Sequence, residues 1–172
     1  MEKLQFKQIL FKTAFCCMAC DGHIDDREIK ELKVMDKNTT YFEDVDLSKE
    51  LEHLISQFGS KGKKTVEELF QQLRDTDLNT VQELLLLEVA LRIINADERI
   101  DDNEVKFIHF LRSKLKVHDE TILDRFGNVE FLFDRDYKNE ITAGNLKQNL
   151  MDSIVLPEMA DLKSVDLSES NA

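Results

Sequence analysis

Apolar residues recur at helical spacing through most of the chain. From Leu4 to Cys20 they fall at Leu4, Ile9, Leu10, Phe11, Phe15 and Met18, with Lys3, Lys7, Gln8 and Lys12 opposite. This predicts a first helix that Gly22 stops. A second runs from Asp26 to about Asp36 on Ile29, Leu32 and Met35, and a third from Leu47 to Phe58. Residues 38–46 read as a loop. Gly59-Ser-Lys-Gly-Lys-Lys64 is the strongest breaker and predicts a linker. A fourth helix is expected from Thr65 to Arg74 and a fifth from Thr80 to Asn95, each opened by a Thr-x-x-Glu capping box on Thr65 or Thr80. The fifth is apolar nearly all round, which places it in the centre of a bundle. Helices over residues 102–115 and 120–126 follow, and residues 128–139 are expected to form one more.

Two of these stretches are alike. Asp21-Gly-His-Ile-Asp-Asp-Arg-Glu28 matches Asp97-Glu-Arg-Ile-Asp-Asp-Asn-Glu104 without a gap, 76 residues later. Between positions 7 and 35 and their counterparts, eight of 29 residues are identical, against about two expected from average composition. The chain reads as a duplicated helix–acidic turn–helix unit with halves at about 4–58 and 80–126.

Composition narrows the class. One proline and five glycines in 172 residues disfavour sandwiches and barrels, which need many tight turns. A net charge of −12 argues against nucleic acid, whose phosphates require a basic surface. It favours a cation or a protein partner with a basic patch. Charged residues interrupt every apolar run, so no signal peptide or bilayer-spanning segment is expected and a cytoplasmic location is. The end of the chain, residues 146–172, carries an acidic excess and is expected as a partly mobile tail beyond a domain at 1–145.

The acidic turns have a structural explanation. Asp25 with Glu28, and Asp101 with Glu104, form capping boxes, and Ile24 and Ile29 make a hydrophobic staple. Asp26 and Asp102 sit in the first turn, facing the positive end of the helix dipole. Asp21 and Asp97 escape this account, because they follow the negative end of a helix. Each either holds its turn by accepting backbone N–H groups, as in an Asx-turn, or joins its neighbours around a cation. An EF-hand is excluded. With Gly22 and Glu28 in register, the first and third ligand positions fall on Cys17 and Ala19, or on Ile93 and Asn95, none of which supplies the carboxylates those positions need. A calcium, magnesium or zinc ion held here would be weakly bound.

Other chemistry is sparse. Cys17, Cys20 and His23 have zinc-ligand residue types, but the second unit offers Ile93, Ala96 and Arg99. Buried free thiols are the expectation for Cys16, Cys17 and Cys20. Nucleophile-elbow and phosphate-loop patterns are absent. His53, His109 and His118 are expected at surfaces or edges, so no enzyme is expected.

The pattern Ala-x-x-Asp-Gly-x-Ile-x-x-x-Glu, answered by Asn-Ala-Asp-x-x-Ile-x-x-x-Glu, resembles the tellurite-resistance TerB-like family, which includes the N-terminal domain of the DjlA co-chaperone. The resemblance implies an all-α bundle of about seven helices with an internal pseudo-two-fold repeat. It also implies two acidic turns forming a metal-binding or interaction surface in a stress-response protein. Asp21, Asp25 and Glu28, with Asp97, Asp101 and Glu104, match those positions, with Asp26 and Asp102 beside them. Glu98 stands where the first turn has Gly22, and no His-Pro-Asp co-chaperone signature is present. The expected function is a non-enzymatic acidic binding module, with or without a divalent cation. The alternatives are a structural protein–protein adaptor whose turns only cap helices, and a metal-dependent enzyme.

Overall fold

The computed structural model describes residues 2–168, and the fold there is all-α. Eleven helical segments follow one another: α1 (Lys3–Ala19), α2 (Asp26–Asn38), α3 (Leu47–Lys61), α4 (Lys64–Asp75), α5 (Thr80–Ile94) and α6 (Asp102–Ser113), then α7 (Asp119–Phe126), α8 (Glu130–Phe133), α9 (Arg135–Ala143), α10 (Leu146–Ser153) and α11 (Met159–Lys163). None is long and apolar enough to cross a membrane. The resemblance implied about seven.

The core is built on α1 against α5, the most extensive helix pair. Both are sheathed nearly all round, α1 burying Ile9 to Phe11 and Thr13 to Ala19, and α5 burying Leu86, Leu87 and Val89 to Leu91. A polar side chain survives in α1 because Thr13 donates to the Ile9 carbonyl one turn back, at 2.8 Å. Around this pair α2 packs on α5, while α6 packs on both α5 and α1. Phe42, from the loop after α2, sets its ring edge-on against Phe11 with centroids 5.9 Å apart, so the polar loop is anchored by one aromatic plug.

Several boundaries differ from the expected ones for tertiary reasons. The stretch from Gly59 to Lys64 is no linker. α3 runs through Gly59, where a Cβ would stand 3.2 Å from Met159 Cε, so this glycine makes room for α11. The helix ends at Gly62, in the left-handed region at φ +57, and α4 begins two residues later. Thr65 therefore lies inside the first turn of α4 and caps nothing; the N-cap position is Lys63, without a side-chain cap. Thr80 is also displaced by one residue. Asn79 is the N-cap of α5, its side chain accepting from Gln82 N–H while Gln82 reaches back to Asn79 N–H, and asparagine is the stronger cap. Glu83, freed from that box, accepts instead from the backbone N–H groups of Lys116 and Val117 at 3.0 and 2.7 Å.

Residues 128–139 split at Asp134, which ends α8 and caps α9 by accepting from Tyr137 N–H. Over its described part the expected acidic tail packs on the body. α10 lies along α6, α11 lies on α3, and Leu146, Leu150, Ile154, Leu162, Val165 and Leu167 are buried. Enough apolar side chains are spaced along this segment to bury a face, which outweighs its acidic excess. Residues 169–172 of the expected tail lie outside the described residues.

Candidate functional site: the two acidic turns

Each turn is built by the same local bonds. Asp21 Oδ1 accepts from His23 N–H at 2.9 Å, and Asp97 Oδ1 accepts from Arg99 N–H at 2.5 Å. Both are Asx-turns, which accounts for a carboxylate just past a helix end. Asp25 then caps α2 and Asp101 caps α6, at φ,ψ of −84,139 and −85,145. Each box closes when Glu28 accepts from Asp25 N–H at 3.0 Å and Glu104 from Asp101 N–H at 3.4 Å. The turns part company at one position. Gly22 takes a positive φ of 79, and Glu98 does not.

That glycine serves a close approach. Val155, after α10, pairs with Asp21 in an isolated parallel bridge and donates its N–H to the Cys20 carbonyl at 3.2 Å. A Cβ on Gly22 would stand 2.8 Å from Val155 Cγ1 and 3.2 Å from its carbonyl oxygen.

The two turns meet in space. Glu28 and Glu104 are buried, at 2% and 3% exposure, and their carboxyls hydrogen-bond each other. Burial raises both above the ordinary carboxylate range. The bond between them holds one proton in common, and the nearby charge of Asp21 raises both further. Asp21 lies beside this pair. It too is raised, first by partial burial, against the pull of its His23 bond, and then by the charge of Asp101.

Two side chains at equivalent positions reach across. Arg27 binds Asp25 through Nε and Nη2 at 3.0 and 3.1 Å and places Nη2 3.8 Å from Asp97 of the other turn. These bonds hold Asp25 below its ordinary range. Asn103 donates through Nδ2 to the Cys20 carbonyl at 3.3 Å and to the Ser153 carbonyl at 2.9 Å. A scan for identical residues misses both, because arginine and asparagine differ in type while sharing a position.

Six of the eight expected site residues are thus brought together: Asp21, Asp25, Glu28, Asp97, Asp101 and Glu104. Asp26 and Asp102 stand exposed on the first turns of their helices. Among the described residues, no three His, Cys, Asp or Glu side chains are arranged to hold a metal ion. Cys16, Cys17 and Cys20 are free and fully buried, while His23 is exposed. Burial pushes the Cys16 thiol up to about 12 and the other two upward as well, which disfavours the thiolate that zinc requires.

His109 is a correction: it is no surface residue but 3% exposed. Its Nδ1 lies 3.2 Å from Glu140 and its Nε2 2.6 Å from the Phe131 carbonyl. The ring ties α6 to α8 and α9, a structural use for a histidine that helical spacing alone assigned to an edge. Comparison of the chain with family models, with curated proteins and with solved structures finds no match.

Proposed function

We propose that the protein is a non-enzymatic binding module of the TerB-like kind, made from a duplicated helix–acidic turn–helix unit and acting in a cytoplasmic stress response. Its partner is a protein with a basic patch. The observation that carries this reading is the hydrogen bond between Glu28 and Glu104. A shared proton joins the turns where a cation would otherwise be needed to offset their repulsion. Around that joint lie the partly buried Asp21, Asp97 and Asp101, with Asp26 and Asp102 exposed on the first turns of α2 and α6. The matching Asx-turns and capping boxes support the duplication.

The test uses a Lys/Arg-rich peptide as probe, with backbone amide chemical shifts as readout. Shifts centred on residues 21–28 and 97–104, lost in an Asp26→Asn/Asp102→Asn double variant, are the expected result. Shifts spread evenly over the acidic surface would reject the reading. A cation-assisted form of the same module rests on Asp21, whose raised carboxyl adjoins the buried pair. Calorimetric titration with calcium, magnesium, manganese and zinc separates the two forms. Heat for one of them that disappears in Glu28→Gln selects the cation-assisted one, and no heat for any selects the proton-joined one.

A further inference from the structure

At the other end of α6 from its acidic turn, the end of α6, α9 and the start of α10 line an open cavity of about 420 Å³. Its volume falls within the roughly 300–1,000 Å³ typical of small-molecule sites. The chain carries 35 acidic against 23 basic residues, yet this cavity is lined by Arg112, Lys114 and Lys147 and by no carboxylate. Its apolar wall comes from Phe110, Tyr137 and Leu146, all buried, with Ile141 exposed at the rim. A narrow cleft of about 50 Å³ shares Phe110, Lys114 and Lys147 with it and adds Arg74 together with Glu67.

The cations differ in what already occupies them. Arg112 is held by Asp119 and the Val117 carbonyl, although its buried Nε has no hydrogen-bond partner among the described residues. Lys147 pairs with Glu67 at 2.6 Å in an exposed bridge, and Arg74 lies 3.8 Å from Asp75. Such exposed pairs are weak and exchangeable. Lys114 has no carboxylate partner among the described residues. Its ammonium sits 4.5 Å from the centroid of the Phe110 ring, over the same aromatic wall. Burial, then the charges of Arg74 and Lys147, lower its affinity for a proton, so a bound anion would relieve a repulsion already present.

We infer that this cavity binds a small amphipathic anion: an apolar body about one ring in size, carrying a single phosphate or carboxylate. The body would lie against Phe110, Tyr137 and Leu146, and the head between Lys114 and Lys147. Charge-assisted bonds to two ammonium groups would fix the head, and exclusion of water from the wall would hold the body.

Calorimetry and amide-shift mapping with phenyl phosphate and phenylacetate test this, against benzyl alcohol and inorganic phosphate as controls. Saturable binding of at least one aromatic anion is expected, with shifts at residues 110–115 and 141–147, and the tighter of the two identifies the head group. Benzyl alcohol and inorganic phosphate should each bind at least tenfold more weakly. Lys114→Met should weaken binding tenfold or more, and Lys114→Arg should restore most of it. Lys147→Glu, at an exposed position, keeps the test decisive if Lys114→Met does not fold, and it too should weaken binding at least tenfold. No saturable binding of either anion, equal binding of either control, or binding unmoved by the lysine substitutions would each overturn the inference.

Discussion

Glu28 and Glu104 share a hydrogen bond at a point in the core where neither residue is more than 3% exposed. One proton therefore links the start of α2 to the start of α6, and the link depends on pH. The folded value of Glu28 is raised from 4.5 to about 9 and that of Glu104 to about 7. The unfolded chain has ordinary values for both. A raised carboxyl contributes its stability fully below the unfolded value and loses it as pH rises through the folded one. The window thus opens near 4.5 and closes near 9.

Glu28→Gln isolates this effect. A glutamine amide donates to Glu104 as the protonated acid does, but never ionises. Urea midpoints of the two proteins should nearly agree at pH 5, and the variant should become the more stable as pH rises to 9. Each pH unit inside the window is worth at most about 1.4 kcal/mol for one proton. Carboxylates held below their ordinary range, such as Asp25, act oppositely but equally in both proteins and cancel in the difference. A difference that stays flat from pH 5 to 9 would show that the pair does not share a proton.

The first turn tolerates no side chain at its second position. Gly22→Ala meets two costs together, a positive φ of 79 and a Cβ 3.2 Å from the Val155 carbonyl. The conformational part alone is about 1–2 kcal/mol. Displacing Val155 adds to this by stretching its bond to the Cys20 carbonyl. We expect a fall in the denaturation midpoint with an unchanged slope. Glu98→Ala, at the matching position of the second turn where φ is not positive, should change stability by less than about 0.5 kcal/mol.

What sequence revealed here divides between local and distant causes. The capping boxes of Asp25 with Glu28 and of Asp101 with Glu104 were legible, because a cap is decided within four residues. The Asx-turn at Asp21 was legible as one of two options for the same reason. The pairing of Glu28 with Glu104 was not. A capping role already explained each glutamate, and nothing local says that two caps will face one another across the core. Gly59 misled in the opposite way: it reads as a breaker, but its role is the close passage of Met159, 100 residues away. Glu83 looked like part of a box at Thr80, while its real partners, Lys116 and Val117, lie more than 30 residues downstream.

Glu83 offers a direct measure of such a distant bond. Its buried carboxylate takes the N–H groups of Lys116 and Val117, pinning the connection between α6 and α7. Glu83→Ala leaves two backbone donors without a partner and should cost about 2–6 kcal/mol, at roughly 1–3 kcal/mol per unsatisfied group. Glu83→Gln keeps one acceptor oxygen and should cost about half as much. Hydrogen exchange at Lys116 and Val117 supplies the local readout. Protection should fall steeply in the alanine variant and only partly in the glutamine one, and equal protection in both would reject the assignment.

The last prediction runs toward greater stability. Thr65, expected to cap α4, is instead 4% exposed with a hydroxyl that has no hydrogen-bond partner among the described residues. A buried hydroxyl without a partner costs about 1–3 kcal/mol, while the rest of the side chain matches valine in shape. Thr65→Val removes the unpaired oxygen and keeps the volume, so the melting temperature should rise, by about 1 kcal/mol of stability. The β-branched valine is no worse than threonine inside a helix, since both restrict χ1 alike. Were the hydroxyl acting as the cap that the Thr-x-x-Glu pattern suggests, the same substitution would cost about 1 kcal/mol instead. The sign of the change in melting temperature therefore decides between a capping threonine and a stranded one.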